Sequence, residues 1–200
     1  KADGWTPMAH TADLDEPPHL LVSEKVKLGW LSYGTDVLSI PRGEHTEKTL
    51  YKASSTAGIR GLILPLTKEI SLYIEYRFAE GQDSSIPKNG ILLYLHHHPT
   101  GRDEVLKVLW VGEEYIDKSF GFAVKVLEAD PVSASVLTAN GLPDLTIDSI
   151  TYSGELVPGR EVRLSITVKN IGDGDSMPFK IIIEGENEIK SIAKDGLEVD

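Results

Sequence analysis

Apolar and β-branched residues recur at alternate positions along most of this chain, in runs of about five to nine residues separated by Gly, Pro, Asn and Asp clusters. A period of two sends neighbouring side chains to opposite faces of an extended strand, and short runs with regular turn signals are the pattern of an antiparallel β-sandwich. From Thr35 onward the spacing predicts strands over 37–40, 46–52, 62–64, 70–78, 91–97, 105–111, 120–127 and 132–138. Between Ile70 and Phe78 the even positions are apolar or aromatic, while the odd ones include Ser71, Glu75 and Arg77, so one face is expected in the core and the other outside it.

The first 34 residues differ. Asp15-Glu16-Pro17-Pro18 places acids and prolines where a helix tolerates them best, Gly29 offers a stop, and Leu21, Val22, Val26, Leu28 and Trp30 recur at near-helical spacing. The pattern predicts a helix over 18–28 with Trp30 ending its apolar stripe, preceded by a turn over 4–11. Ala139-Asn140-Gly141-Leu142-Pro143-Asp144 is a Gly/Pro break, after which strands are expected over 145–152, 162–169, 179–184 and 188–192. The expected organisation is a leading segment 1–34, a β-sandwich 35–140 and a second, partial sandwich 141–200. Four strands are too few to close a seven-stranded sandwich, so the second unit is expected to present an open edge or to continue in further sequence.

Composition narrows the function classes. Acidic residues outnumber basic ones 31 to 20, for a formal charge of -11, and the cations are scattered, so neither nucleic acid nor an anionic membrane surface is an expected partner. No apolar run approaches the roughly 18–20 residues of a membrane-spanning helix. The chain opens on Lys1-Ala2-Asp3-Gly4-Trp5 without an apolar leader, and is expected to be a processed product or a piece of something longer. One Gln, four Asn, two Met and no Cys make a composition similar to that of proteins from hot environments.

Candidate chemistry is sparse. No His-Glu-x-x-His pair, Gly-x-Ser-x-Gly elbow or phosphate-cradling loop occurs, so no catalytic residue is assigned. His96 and His98 would share one side of an extended segment and are candidate metal ligands, although a strand end before Pro99 would also place polar residues there. Asp173 and Asp175 in Asn170-Ile171-Gly172-Asp173-Gly174-Asp175 are candidate calcium ligands, against the alternative of an ordinary hairpin turn. Glu75 and Arg77 share a strand face and with Asp83 are expected to form a charge network, structural rather than substrate-binding. Trp5, Trp30, Trp110 and several Tyr are the candidates for sugar stacking, but Trp30 and Trp110 fall where core residues fall.

Two stretches carry a family resemblance. Gly4-Trp5-Thr6-Pro7-Met8, followed by Lys25-Val26-Lys27-Leu28-Gly29-Trp30, resembles the end of the catalytic domain of the immune inhibitor A family of secreted zinc metallopeptidases. Glu75-Tyr76-Arg77, Gly81-Gln82-Asp83 to Pro87, and Gly90-Ile91-Leu92-Leu93-Tyr94 are similar to that family's following β-domain. The resemblance makes Met8 a counterpart of the methionine beneath the catalytic zinc. It makes Leu28, Gly29, Trp30, Glu75, Tyr76, Arg77, Asp83, Pro87 and Gly90 structural motif positions. The zinc-binding motif of the family is not in this sequence, so zinc is expected only in a parent protease domain, and no cofactor in this chain. Further on, Pro143-Asp144-Leu145 and Val168-Lys169-Asn170-Ile171-Gly172 resemble the start of a cell-adhesion-related (CARDB) immunoglobulin-like module. The two resemblances together imply a secreted or cell-surface, non-catalytic C-terminal region of a metzincin-type protease, whose partners are that protease domain and a surface or protein substrate. The alternative is a stand-alone adhesion or glycan-binding sandwich.

Overall fold

The computed structural model describes residues 18–154, 163–172, 174, 179–184 and 189–194. The fold is mainly β, as the alternation predicts. One short helix, α1 (Val22–Lys27), precedes the strands β1 (Val37–Ser39), β2 (His45–Tyr51), β3 (Gly61–Pro65), β4 (Ile70–Arg77), β5 (Gly90–His97), β6 (Arg102–Leu109), β7 (Glu114–Asp117), β8 (Phe122–Ala129) and β9 (Ser133–Asn140). They make two sheets, a larger one in the order β1-β3-β4-β5-β6 and a smaller one in the order β2-β9-β8-β7. All pairings are antiparallel except β1 with β3. Strand β7 has no counterpart in the sequence pattern: Glu114-Tyr115-Ile116-Asp117 is too short and too acidic to stand out, and pairing with β8 makes it a strand.

The sheets close on a core to which the larger contributes Leu62, Leu64, Leu72, Ile74, Tyr76, Ile91 and Leu93, and the smaller Leu50, Phe122, Val124, Val126 and Val136. These are the period-two positions of the sequence, buried because burial of apolar area is the main term favouring the folded state. The other face of the larger sheet departs from expectation. Ser71, Tyr73, Glu75 and Arg77 are buried as completely as the even positions of β4. The segment from Pro18 to Leu31 lies over them and builds a second core from Leu21, Val22, Leu31, Val37, Ile63, Tyr73, Ile86, Leu92 and Tyr94. A central strand covered on both faces cannot show its outer layer as a polar stripe.

The helix is shorter than the 18–28 expected from its stripe. Leu21 is extended, and the backbone of His19 bonds to the Asp83 and Arg77 side chains rather than to a helical turn. The Glu24 carboxylate then accepts from the Leu21 N–H at 2.8 Å and starts the helix there. At the other end Trp30 N–H donates to Lys25 O at 2.9 Å and Gly29 N–H to Val26 O at 3.0 Å, the double bond of a Schellman stop, with Gly29 at φ 72. That stop turns Leu28 and Trp30 outward: both are exposed, where the stripe places Trp30 in the core.

Beyond β9 the strands β10 (Leu145–Ser153) and β11 (Arg163–Asn170) pair antiparallel, as do β12 (Phe179–Glu184) and β13 (Ile189–Lys194). A bulge at Asp148 keeps Ile147, Ile150 and Tyr152 on one face of β10, opposite Val168, Ile166 and Leu164 of β11. The turn after β11 is clamped to the linker: Asn170 Oδ1 accepts from Asp144 N–H and Gly172 N–H, both at 3.1 Å, while its Nδ2 donates to Gly174 O at 2.7 Å. A Cβ on Gly172 would sit 2.3 Å from Asp144 N and from Leu142 O, so this turn requires glycine for close backbone approach.

Candidate functional site

Among the described residues, the face of the larger sheet under α1 gathers most of the buried polar groups. Arg77 and Glu75 are adjacent outward positions of β4, and the 3₁₀ turn Gly81–Asp83 folds Asp83 back against them. The Arg77 guanidinium reaches Glu75 Oε1 at 3.0 Å, Asp83 Oδ1 at 2.6 Å and His19 O at 3.0 Å, with all three side chains essentially without solvent exposure. The carboxylates hold backbone in turn: Glu75 Oε2 accepts from Val22 N–H at 2.6 Å and Asp83 Oδ1 from His19 N–H at 2.8 Å. Lys25 donates to Ala53 O at 2.8 Å, and Ser23 N–H donates to the Tyr94 hydroxyl at 3.1 Å. The charged trio therefore works as a strap anchor, fixing residues 19–25 across the sheet.

Burial disfavours the Arg77 cation, but Glu75 and Asp83 outweigh it and hold its pKa above the ordinary value. Burial raises the Glu75 carboxyl, opposed by Arg77, the Val22 N–H and Lys25. The Lys25 ammonium is lowered, by burial first.

The other resemblance positions are spread around this anchor. Tyr76 points to the opposite, inner core and donates to Asp130 O at 2.5 Å. Pro87 is exposed on the loop into β5. Gly90 has φ 140, and a Cβ there would stand 2.4 Å from Leu109 O, so only glycine lets β5 begin against the end of β6. Met8, Asp173 and Asp175 lie outside the described residues.

His96 and His98 do share a side, with ring centroids 5.2 Å apart. Each is bound separately: His96 Nδ1 lies 2.6 Å from Asp103 Oδ1, and His98 Nε2 lies 2.9 Å from Ser71 Oγ. Asp103 Oδ2 in turn accepts from Ser23 Oγ at 3.1 Å, tying this end to α1. A serine, two histidines and an aspartate thus meet without forming a relay, since the carboxylate orients one imidazole and the serine binds the other. Among the described residues no group of three or more His, Asp or Glu is arranged to hold a metal ion.

His19 and His98 both sit below their ordinary pKa, His19 through burial and then Lys25, His98 through burial and then His96 and Lys27. A depressed histidine resists protonation when folded, so its contribution is whole above the unfolded value of 6.5 and is lost as pH falls from there toward the depressed value. Relative to the His19→Gln/His98→Gln double variant, the native chain should therefore lose stability between about pH 7.5 and pH 5.5. Urea midpoints of both proteins at both pH values measure it; a gap independent of pH would contradict the assignment.

The sequence pattern misses His19, Ser23, Lys25, Tyr73, Tyr94 and Asp103, which complete this face. The one available signal is the mixed polar and aromatic character of the odd β4 positions, which a solvent-facing strand would fill with exposed polar residues alone. Elsewhere a groove of about 460 Å³ runs between the smaller sheet and the start of β10, lined by His45, Ala123, Leu137, Ala139, Leu142 and Pro143 among others.

No curated protein and no solved structure matches the chain. Residues 142–195, which carry the strands β10 to β13, match the model of the CARDB family, an Ig-like domain.

Proposed function

We propose that this chain is a non-catalytic accessory region of a secreted, metzincin-type zinc metallopeptidase, supporting the protease domain and carrying it to a surface or substrate. The observation that carries this reading is the strap. Residues 19–25 are fastened to the larger sheet by Glu75, Arg77, Asp83 and Tyr94, which supports a role in holding a protease domain joined ahead of them. The motif residues Leu28, Gly29 and Trp30 follow that strap, and Leu28 and Trp30 are exposed. The CARDB match supports a secreted or cell-surface setting, and no helix among the described residues is long and apolar enough to cross a membrane. Zinc belongs, on this reading, to the protease domain alone.

Incubating the purified chain with zinc and casein should give no cleavage. Chelator-sensitive turnover by this chain alone would overturn the accessory assignment. In the longer polypeptide that carries the protease domain, Arg77→Met should lower the protease's thermal midpoint, because the strap transmits the loss; a protease midpoint indifferent to Arg77 would remove the supporting role.

A further inference from the structure

We propose that the groove between the smaller sheet and the start of β10 binds an apolar amino acid or dipeptide as its zwitterion, with the side chain over Ala123 and Ala139 and the charged ends at Glu114 and Lys125. The groove originates in one row of side chains. Across the outer face of the smaller sheet, His45 of β2 is partnered with Ala139 of β9, Ala139 with Ala123 of β8, and Ala123 with Ile116 of β7. Two methyl groups thus lie between larger side chains, and the sheet has a trough there. Leu137 and Lys125 belong to the next row on that face, in register with each other. Leu142 and Pro143 of the linker and Leu145 of β10 complete the lining of a space of about 460 Å³.

The wall made by the linker is fixed before any ligand arrives. Gly141 N–H donates to Gly121 O at 2.8 Å, tying the linker to the sandwich. Asn170 Oδ1 accepts from Asp144 N–H at 3.1 Å, and Ile171 N–H donates to Asp144 O at 2.8 Å, tying it to the turn after β11. Small-ligand sites favour such junctions, run to roughly 300–1,000 Å³, and combine an apolar lining with a few polar groups. A wall already in place also spares binding the cost of ordering a loop.

The charges select the ligand. Glu114 and Lys125 are direct partners across β7 and β8, and both line the groove. Opposite charges at such positions attract and commonly pair. Here both residues are exposed, and neither side chain forms a hydrogen bond or ion pair among the described residues. A ligand bearing a single charge would satisfy one of them and be repelled by the other. A zwitterion meets both at once, its ammonium at Glu114 and its carboxylate at Lys125. An aliphatic or aromatic side chain on that zwitterion suits the methyl floor and the wall of Leu142, Pro143 and Leu145. The inference stands apart from the protease reading, since it concerns a small ligand bound by this chain alone.

The test is an amide NMR titration of the whole chain with leucine, phenylalanine and leucyl-leucine, up to about 10 mM. Binding of any one of them is expected, seen as saturable shifts at the amides of Ala123, Leu137 and Ala139. The matching ligands without an ammonium (N-acetylated) or without a carboxylate (amidated) should each bind roughly threefold more weakly. Glu114→Gln and Lys125→Gln, both at exposed positions, should each weaken binding by a similar factor, and Lys107→Gln, exposed on β6, should leave it unchanged. Ala139→Leu fills the trough and should abolish binding, and Ala123→Leu repeats that test from the neighbouring strand. No saturable shift with any of the three ligands overturns the proposal. So do shifts centred away from the groove, or N-acetylated and free ligands that bind equally. Shifts at these amides on raising the protein concentration alone would give the groove to a second copy and overturn it too.

Discussion

Replacing Arg77 by methionine should lower the stability of the sandwich by about 3–5 kcal/mol, seen as a fall in the urea midpoint at unchanged slope. The guanidinium is fully buried and satisfies two carboxylates and a carbonyl at once. Without it Glu75 and Asp83 remain in the second core with no cation in contact, and each must be left charged or take up a proton. Arg77→Lys should fall between, because a single ammonium cannot reach Glu75 Oε1, Asp83 Oδ1 and His19 O with the geometry of the planar fork. Adding Glu75→Gln and Asp83→Asn to Arg77→Met should restore part of the loss, since no charge is then stranded. A methionine variant within about 1 kcal/mol of the native chain would mean that the trio does not hold the strap.

Truncating Tyr94 to alanine should cost about 3–5 kcal/mol. Its ring is fully buried, stacks on Tyr73 with centroids 5.4 Å apart, and its hydroxyl accepts from the Ser23 N–H at 3.1 Å. Tyr94→Phe keeps the ring and removes only the acceptor, which leaves a buried N–H unpaired and should cost about 1–3 kcal/mol. The two variants separate packing from hydrogen bonding in fastening α1. Hydrogen exchange at the amides of α1 should accelerate in both, and exchange rates unchanged in Tyr94→Ala would show that the helix is held by something else.

Most strands of the two larger sheets, β7 excepted, were legible because the core between the sheets buries alternate positions of each. Ile70 to Phe78 and Ile91 to His97 could be placed to within a residue or so of β4 and β5 from pattern alone. Gly29 as helix stop was legible for a similar reason, since a left-handed backbone position selects glycine locally. What the pattern could not carry is the second layer. Tyr73, Glu75 and Arg77 read as an outer face because neighbours in sequence say nothing about a segment fifty residues upstream folding over them. The helix start was misplaced by the same effect, its first turn being surrendered to bonds with Asp83 and Arg77.

The paired exposure of Trp30 and Tyr33 was equally hidden. Helical spacing assigned Trp30 to the apolar stripe, and only the Schellman turn, completed by a tertiary anchor at Leu31, sends it outward.

By itself, then, the sequence determined what short-range sterics and periodic burial control: a mainly β chain, the approximate strands, the helix stop, and an acidic, cysteine-free surface. The tertiary structure alone decided which polar residues are buried, which histidine meets which carboxylate, and which aromatics face solvent. Those outcomes depend on contacts between residues 19–31 and strands forty to eighty positions away, and a contact at that separation is fixed by packing and by the cost of leaving a buried charge unpaired, neither of which leaves a period along the chain.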